Sequence, residues 1–442
     1  MENTLINIIK NKIMKLHGMR LTMFIIFILF SVIFYLISIT MYKARINPIT
    51  IYLSIWVLCV SLHQSGLIYY YELTNTTWIV LISSEVIYVI GCMVGVMFSK
   101  NRIQKKSYSI NNLESLRKTL RHYIIILSLI ASLSIIPKLF YVVRIYGINL
   151  ISNISQIYLD SITEKMNYAG TFNTDGFIFI SVVFSAIYLY KFEFDKVILL
   201  PLLLLILSQL TSGSRGSLVS GILLFIAPFV LKNRNHKNKD IVNKKSKKRV
   251  IMVVGILFIF LFLITYNRND GNFTLPYAST LIQSLCSKNK FIYNIVFYVS
   301  SPIAVLNEYL KNPIHSYWGA GTFRIFYIIM DKFGIGNYNV NFIEEFLYFI
   351  PAPSNALTYL GSLIYDFNYG YTVVVFLLGF LFSIFFCKMQ KHESIFIEVI
   401  TATCFCLVCL SFFAWFLLLS IFWYVLLIGG VLAYILDHKK LH

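Results

Sequence analysis

Residues 208–221, SQLTSGSRGSLVSG, break a long apolar region with glycines, serines and a single arginine. This set of residue types is suited to holding an anion. Gly213 and Gly216 allow backbone conformations that other residues avoid. Backbone N–H groups at Ser214–Ser217 open the helix that follows, and a helix start favours phosphate. Between them Arg215 adds a permanently charged fork matched to phosphate or pyrophosphate. A plain helical hairpin with a snorkelling arginine fits the same residues, and chemistry alone leaves both readings open.

A second group of chemically able residues lies in 267–369. It comprises Arg268 in NRND, His315 in NPIHSYWGAGTFR, Arg324, the pair Glu344 and Glu345, and Asp366 in SLIYDFNYG. Arg268 and Asp366 flank this segment where it leaves and re-enters the apolar region, near the interfacial plane expected for Arg215. Taken singly, each is an ordinary solvated charge; around a diphosphate several must act together. His63, Glu85 and Glu398 fall inside apolar runs, where an ionisable group marks a functional path by default. Glu85 is the deepest, whereas His63 and Glu398 sit near helix ends and are expected to reach water. The cysteine run at 404–409 reads as small apolar filler rather than a metal site, because no His or acid accompanies it. No Walker, zinc-protease, nucleophile-elbow or dinucleotide motif is present, nor an Asp-rich cluster for a metal–nucleotide complex. No cofactor or metal is expected.

These residues need elements to position them, and the composition says of what kind. The chain has 442 residues, 58% hydrophobic and 13% charged. A water-soluble surface takes nearly twice that share of charge, about a quarter. The expected fold is therefore all-α: one integral membrane domain over 1–442 with about eleven transmembrane helices, within a range of ten to twelve. They are expected near 21–42, 48–70, 78–98, 122–143, 176–190, 197–212, 216–231, 250–266, 370–387, 395–412 and 414–436. The last two need a tight hairpin near Ser411–Trp415. The run at 21–42 is long enough to span, which suits a spanning helix better than a cleavable signal.

The formal charge of +19 is concentrated: nine Lys or Arg in 232–249 and seven in 100–121. Basic runs between apolar segments mark cytoplasmic loops, so the charge points to membrane orientation and away from nucleic acid. With 232–249 inside, 267–369 becomes one long outer loop. It holds six basic and six acidic residues, and its runs FIYNIVFY and FIEEFLYFI predict helices at the outer interface. Residues 1–20 disagree, since Lys10, Lys12, Lys15 and Arg20 fall outside on this count. Either that segment lies flat as an amphipathic helix, or a twelfth span exists.

Two stretches, LTSGSRGSLVSGILLF (210–225) and WGAGTFRIFYIIMDKFGI (318–335) running on to PAPSNALTYLGSLIYDFNYGYTVVVFLLG (351–379), resemble the bacterial O-antigen polymerases, the oligosaccharide repeat-unit polymerases. The layout is similar too: many helices, a short outer turn with Arg, and one large outer loop. One departure is Asn368, where Gly often follows the Asp-Phe pair. The resemblance implies a multi-pass protein of the bacterial cytoplasmic (inner) membrane with its active site on the outer face. It would polymerise undecaprenyl-pyrophosphate-linked oligosaccharide repeat units into O-antigen or capsular polysaccharide, and it admits a chain-length regulator as a partner. Arg215, with Ser214 and Gly216, becomes the first choice for diphosphate, followed by Arg268 and Arg324. His315 and Asp366 become candidates for base or acceptor-orienting group. Tyr317, Trp318 and Tyr365 become candidates to line a sugar groove. The competing expectations are an O-antigen ligase, which shares the large outer loop, and a flippase of lipid-linked oligosaccharide. The absence of a convincing internal repeat disfavours the flippase.

Overall fold

A computed structural model describes residues 2–100, 110–162, 174–232, 244–267, 277–286, 291–316, 318–335, 348–350 and 352–438. Over these residues the chain is all-α apart from a two-residue hairpin and one isolated bridge. The first four helices are α1 (Glu2–Tyr42), α2 (Pro48–Gln64), α3 (Asn75–Lys100) and α4 (Ile110–Tyr146). A short α5 (Ile154–Ile162) precedes α6 (Gly176–Lys191), α7 (Leu199–Ser212), α8 (Arg215–Leu231) and α9 (Lys244–Asn267). Then come α10 (Thr280–Leu285), α11 (Phe291–Tyr309), α12 (Arg324–Lys332), the hairpin β1 (Tyr348–Phe349) and β2 (Pro353–Ser354), and α13 (Tyr359–Phe367). The chain closes with α14 (Tyr371–Met389), α15 (Ile395–Cys409), α16 (Ser420–Trp423), a wide π turn (Tyr424–Gly429) and α17 (Gly430–His438).

Among the described residues six helices are long and apolar enough to cross a membrane: Leu21–Tyr42, Asn75–Ser99, Leu113–Tyr146, Arg249–Asn267, Tyr359–Met389 and Ser420–His438. Five shorter apolar helices accompany them, at Pro48–Gln64, Gly176–Lys191, Lys196–Ser212, Arg215–Leu231 and Ile395–Cys409. Many large apolar side chains point outward, among them Phe98, Phe140, Ile251 and Ile259. So much apolar outer surface suits lipid rather than water.

The tightest packing joins α3 to α14. Its source is the small-residue spacing Gly91 and Gly95 on α3, facing Gly379 on α14. A side chain at Gly91 would overlap the carbonyl of Phe376, and one at Gly379 that of Tyr88. Small residues four apart let two membrane helices approach to backbone contact. The start of α2 is set by INPIT: Asn47 Oδ1 accepts from the N–H of Ile49 and Thr50, both at 3.0 Å, and Thr50 Oγ1 accepts from Asn47 N–H at 2.9 Å. Pro48 occupies the first helical position, where its missing N–H costs nothing.

The described flanks of the basic segments, at Arg121 and Lys232, lie at one end of the bundle. There Lys191 and Lys232 both pair with Glu398, at 2.9 and 3.2 Å, and Arg121 pairs with Asp195 at 3.1 Å. Asp437 near the end of α17 accepts from Ser394 Oγ and from the N–H of Ile395 and Phe396. Glu398 is thus fully buried between two lysines, not reaching water as its sequence position predicts. His63 is buried as well and stacks on Tyr70. Glu85 is buried and accepts from Ser31 Oγ at 2.7 Å.

Several expected boundaries move. The helix expected at 48–70 stops at Gln64, because Gly66 adopts φ +70 and turns the chain. Residues 67–69 then run extended against 277–279, with Tyr69 N–H donating to Tyr277 O and Ser279 N–H to Leu67 O. Residues 2–20 continue α1 rather than forming a separate flat helix. The tight hairpin expected near Ser411–Trp415 is a longer break from Leu410 to Leu419. Of the expected interfacial helices, FIYNIVFY begins α11. FIEEFLYFI lies mostly outside the described residues, and its Tyr348–Phe349 is strand. The long segment is more than a coat on the bundle. Ser300–Asn307 of α11 are buried, and every residue of α13 is buried. TYLGSLIYDF carries apolar or small residues on all sides, and a helix apolar all round belongs inside.

Candidate functional site

The Arg215 turn begins where α7 ends. Gly213 caps α7 in the left-handed region, φ +61, with its N–H on Gln209 O at 2.8 Å. A side chain there would also strike Tyr158 of α5, which roofs the turn. Ser161 Oγ of α5 ties this roof down by donating to Ser212 O at 3.2 Å. Ser214 is the residue before α8, and its hydroxyl caps no N–H of the first turn. Among the described residues no side chain accepts from the opening N–H groups of this seventeen-residue helix, as an anion-binding helix start requires.

Arg215 is the first residue of α8. Its guanidinium lies over the Tyr298 ring at 5.3 Å, and Tyr298 stacks on Phe413 at 4.4 Å. Its Nε is buried and has no hydrogen-bond partner among the described residues. A desolvated donor on a fixed cation is costly to leave unmet, and an anion satisfies it. Gly216, next along, faces Phe416: a Cβ there would meet the ring at 4.0 Å, ordinary contact.

Asp366 organises the second motif. Its Oδ1 accepts from Gly321 N–H at 3.0 Å, while Oδ2 accepts from Thr322 N–H and Thr322 Oγ, both at 2.6 Å. The carboxylate thereby folds WGAGTFR onto the end of α13. Backbone contacts complete the clamp, with Gly319 N–H on Asp366 O at 2.8 Å and Ser316 N–H on Tyr365 O at 2.9 Å. The Thr322 hydroxyl accepts from Trp415 Nε1 at 2.9 Å, and Trp423 Nε1 donates to Thr322 O at 3.0 Å. Asp366 is buried with both oxygens engaged in holding this loop.

Around this clamp the remaining candidates take distinct places. Trp318 is exposed, its ring edge-on to Phe367 at 5.1 Å and its carbonyl accepting from Tyr327 Oη at 2.8 Å. His315 is exposed at the rim, with Nδ1 3.2 Å from Ile364 O. Arg324 opens α12 beside Thr322 and is half-buried. Tyr365 is buried and faces the packed interior rather than an open groove. Arg268, Tyr317, Glu344 and Glu345 lie outside the described residues.

The break 410–419 joins the two motifs. Phe413 and Phe416 touch the Arg215 side, through Tyr298 and Gly216. Trp415 and Leu418 touch the Asp366 side, through Thr322 and Gly321. Ser411 pins the break from beneath: its carbonyl accepts from Tyr359 N–H at 2.9 Å and its hydroxyl from Trp56 Nε1 at 3.0 Å. Arg215 and the Asp366 clamp therefore occupy the same end of the bundle, opposite the Glu398 end. Sequence reasoning did not single out Tyr298, Thr322, Trp415 or Trp423. Two tryptophans flanking a helix break carried a signal, because a buried indole N–H needs an acceptor.

Asn368 stands at φ +51, ψ −128, a conformation that glycine enters freely and other residues rarely do. The position that departs from the resembled pattern is thus one whose backbone favours Gly. Asn368→Gly is expected to raise the thermal midpoint of the detergent-solubilised protein, relieving strain of about 1 kcal/mol or more. Asn368→Val is expected to lower it. A midpoint that falls with glycine would show that the Asn side chain, not the backbone, matters there.

No family profile, curated protein or solved structure matches this chain.

Proposed function

We propose that this chain is a membrane glycosyltransferase that polymerises undecaprenyl-pyrophosphate-linked oligosaccharide repeat units on the outer face of the bacterial cytoplasmic membrane. The observation that carries this reading is the shared location of the Arg215 turn and the Asp366 clamp at the end opposite Glu398 and its two lysines. In the proposed topology the six long helices and the five shorter ones make eleven spans. The basic end faces the cytosol, as positive charge does.

In this mechanism Arg215 and the free N–H groups opening α8 hold the diphosphate of the donor lipid. Trp318 offers a ring face to a sugar at the rim. His315 takes the proton of the acceptor hydroxyl. The acceptor oxygen forms the new bond to the anomeric carbon, the bond from that carbon to pyrophosphate breaks, and undecaprenyl pyrophosphate leaves with its charge on Arg215. Asp366 is a positioning residue that sets Trp318 and Arg324.

Cells lacking the chain are expected to display single repeat units outside, and the wild-type chain is expected to restore a ladder. Repeat units trapped on the inner leaflet would instead favour a flippase. Orientation has its own test. Lys311→Cys, beside the clamp, is expected to react with an impermeant maleimide on intact cells, and Lys391→Cys, at the basic end, only after permeabilisation. Of the native cysteines five are buried and two partly so, which keeps the background low. Labelling of both from one side would remove the site from the face where both lipid-linked substrates meet.

A further inference from the structure

A surface cavity of about 460 Å³ opens at the basic end of the bundle, far from Arg215 along α8. It is lined by Ile39 of α1, Lys43, Ala44, Arg45 and Ile46 of the α1–α2 turn, and Val230 and Leu231 at the end of α8. Lys43 and Arg45 are exposed. Neither pairs with a carboxylate among the described residues. Four acids at this end are engaged elsewhere: Glu398 with two lysines, Asp195 with Arg121, Glu114 with Lys118, and Asp437 at the start of α15.

The two cations are presented by a fixed backbone. Lys43 adopts φ +53, and its N–H closes the end of α1 on Ile39 O at 2.9 Å. Asn47 Nδ2 donates to Ala44 O at 2.9 Å and to Ser38 Oγ at 3.3 Å, so the turn is tied on both flanks. The wall opposite the cations is apolar. The span of α1 has only 17% of its apolar window buried and so faces outward. Two cations with no carboxylate partner among the described residues, above an apolar wall at the rim of a lipid-facing helix, match an amphiphile with a phosphate head.

We propose that this cavity binds the phosphate headgroup of an anionic membrane lipid, with an acyl chain laid along Ile39 and Val230. Basic pockets between membrane helices on the cytosolic side take such headgroups, and each cation near the surface strengthens binding about fivefold. A cavity of this size lies in the range of small-ligand sites.

The test uses the full chain in neutral detergent, titrated with phosphatidylglycerol and read by native mass spectrometry. The wild type is expected to retain one phosphatidylglycerol and no phosphatidylcholine under the same conditions. Lys43→Asn with Arg45→Gln is expected to weaken retention roughly thirtyfold, the product of two cations. Asparagine at position 43 keeps a residue tolerant of positive φ. Ile46→Trp, which fills the cavity without removing charge, is expected to weaken it as well. The charge-matched control Lys388→Gln with Lys391→Gln, at the same end but outside the cavity, is expected to retain the lipid. Equal loss in the control, or wild-type retention in both cavity variants, overturns the site. Displacement of the lipid by inorganic phosphate overturns the lipid as occupant and makes the cavity a free-phosphate site.

Discussion

Arg215→Ala is expected to lower polymer formation roughly a hundredfold or more while the protein stays at its normal level in the membrane. That is the usual effect of deleting one donor aimed at charge that develops in a transition state. The readout is the rate and length distribution of carrier-linked polymer. The structural reason is specific. The guanidinium lies over the Tyr298 ring, which stacks on Phe413, and its Nε is buried with no partner among the described residues. Arg215→Lys keeps the charge but loses the planar fork, so intermediate activity is expected. Tyr298→Leu keeps the fork and removes its shelf, and a smaller loss in the same direction is expected. Normal polymer from Arg215→Ala would leave only the snorkelling-arginine reading of this turn.

The second large effect is expected at Asp366. Asp366→Ala strips the acceptors from two backbone N–H groups and from the Thr322 hydroxyl. Unmet buried donors cost about 1–3 kcal/mol each, so the 318–324 segment is expected to open. Limited proteolysis there should rise, and the thermal midpoint should fall. Asp366→Asn is expected to destabilise too, because an amide NH2 would face a donor. Thr322→Val should lose the Trp415 tie and reproduce part of the effect, and the pair should be strongly non-additive. If Asp366→Asn melts like the wild type yet makes no polymer, Asp366 is the base and His315 is not.

Much of the helical plan was legible because lipid as solvent writes it as long apolar runs. The ends of α6, α7, α8 and α14 fall within a residue or two of the sequence reading. Arg215 was legible for the same reason: it is the one cation in an apolar hairpin. What failed depends on tertiary context. LIYYYEL, after Gly66, reads as more helix, yet it is drawn extended by pairing with 277–279. Glu398 looked solvated because the sequence cannot show two lysines converging on it from α6 and the end of α8. Asp366 looked like a free acid because the donors that occupy it come from Gly321 and Thr322, far back in the chain. The Gly91–Gly95 spacing was present in the sequence, but its partner Gly379 became visible only with α14 in place.

The π turn at Tyr424–Gly429 gives the last helix two faces that a uniform spiral would not supply together. Trp423 before it reaches Thr322, and Asp437 after it reaches the start of α15. One surplus residue in a widened coil rotates everything downstream by roughly 100° relative to an uninterrupted α-helix. Deleting a single residue there would leave the span long enough yet aim one anchor into lipid. The two ends of the protein are thus phased against each other by a single loop of widened backbone, much as an offset keyway fixes the angle between two parts on one shaft.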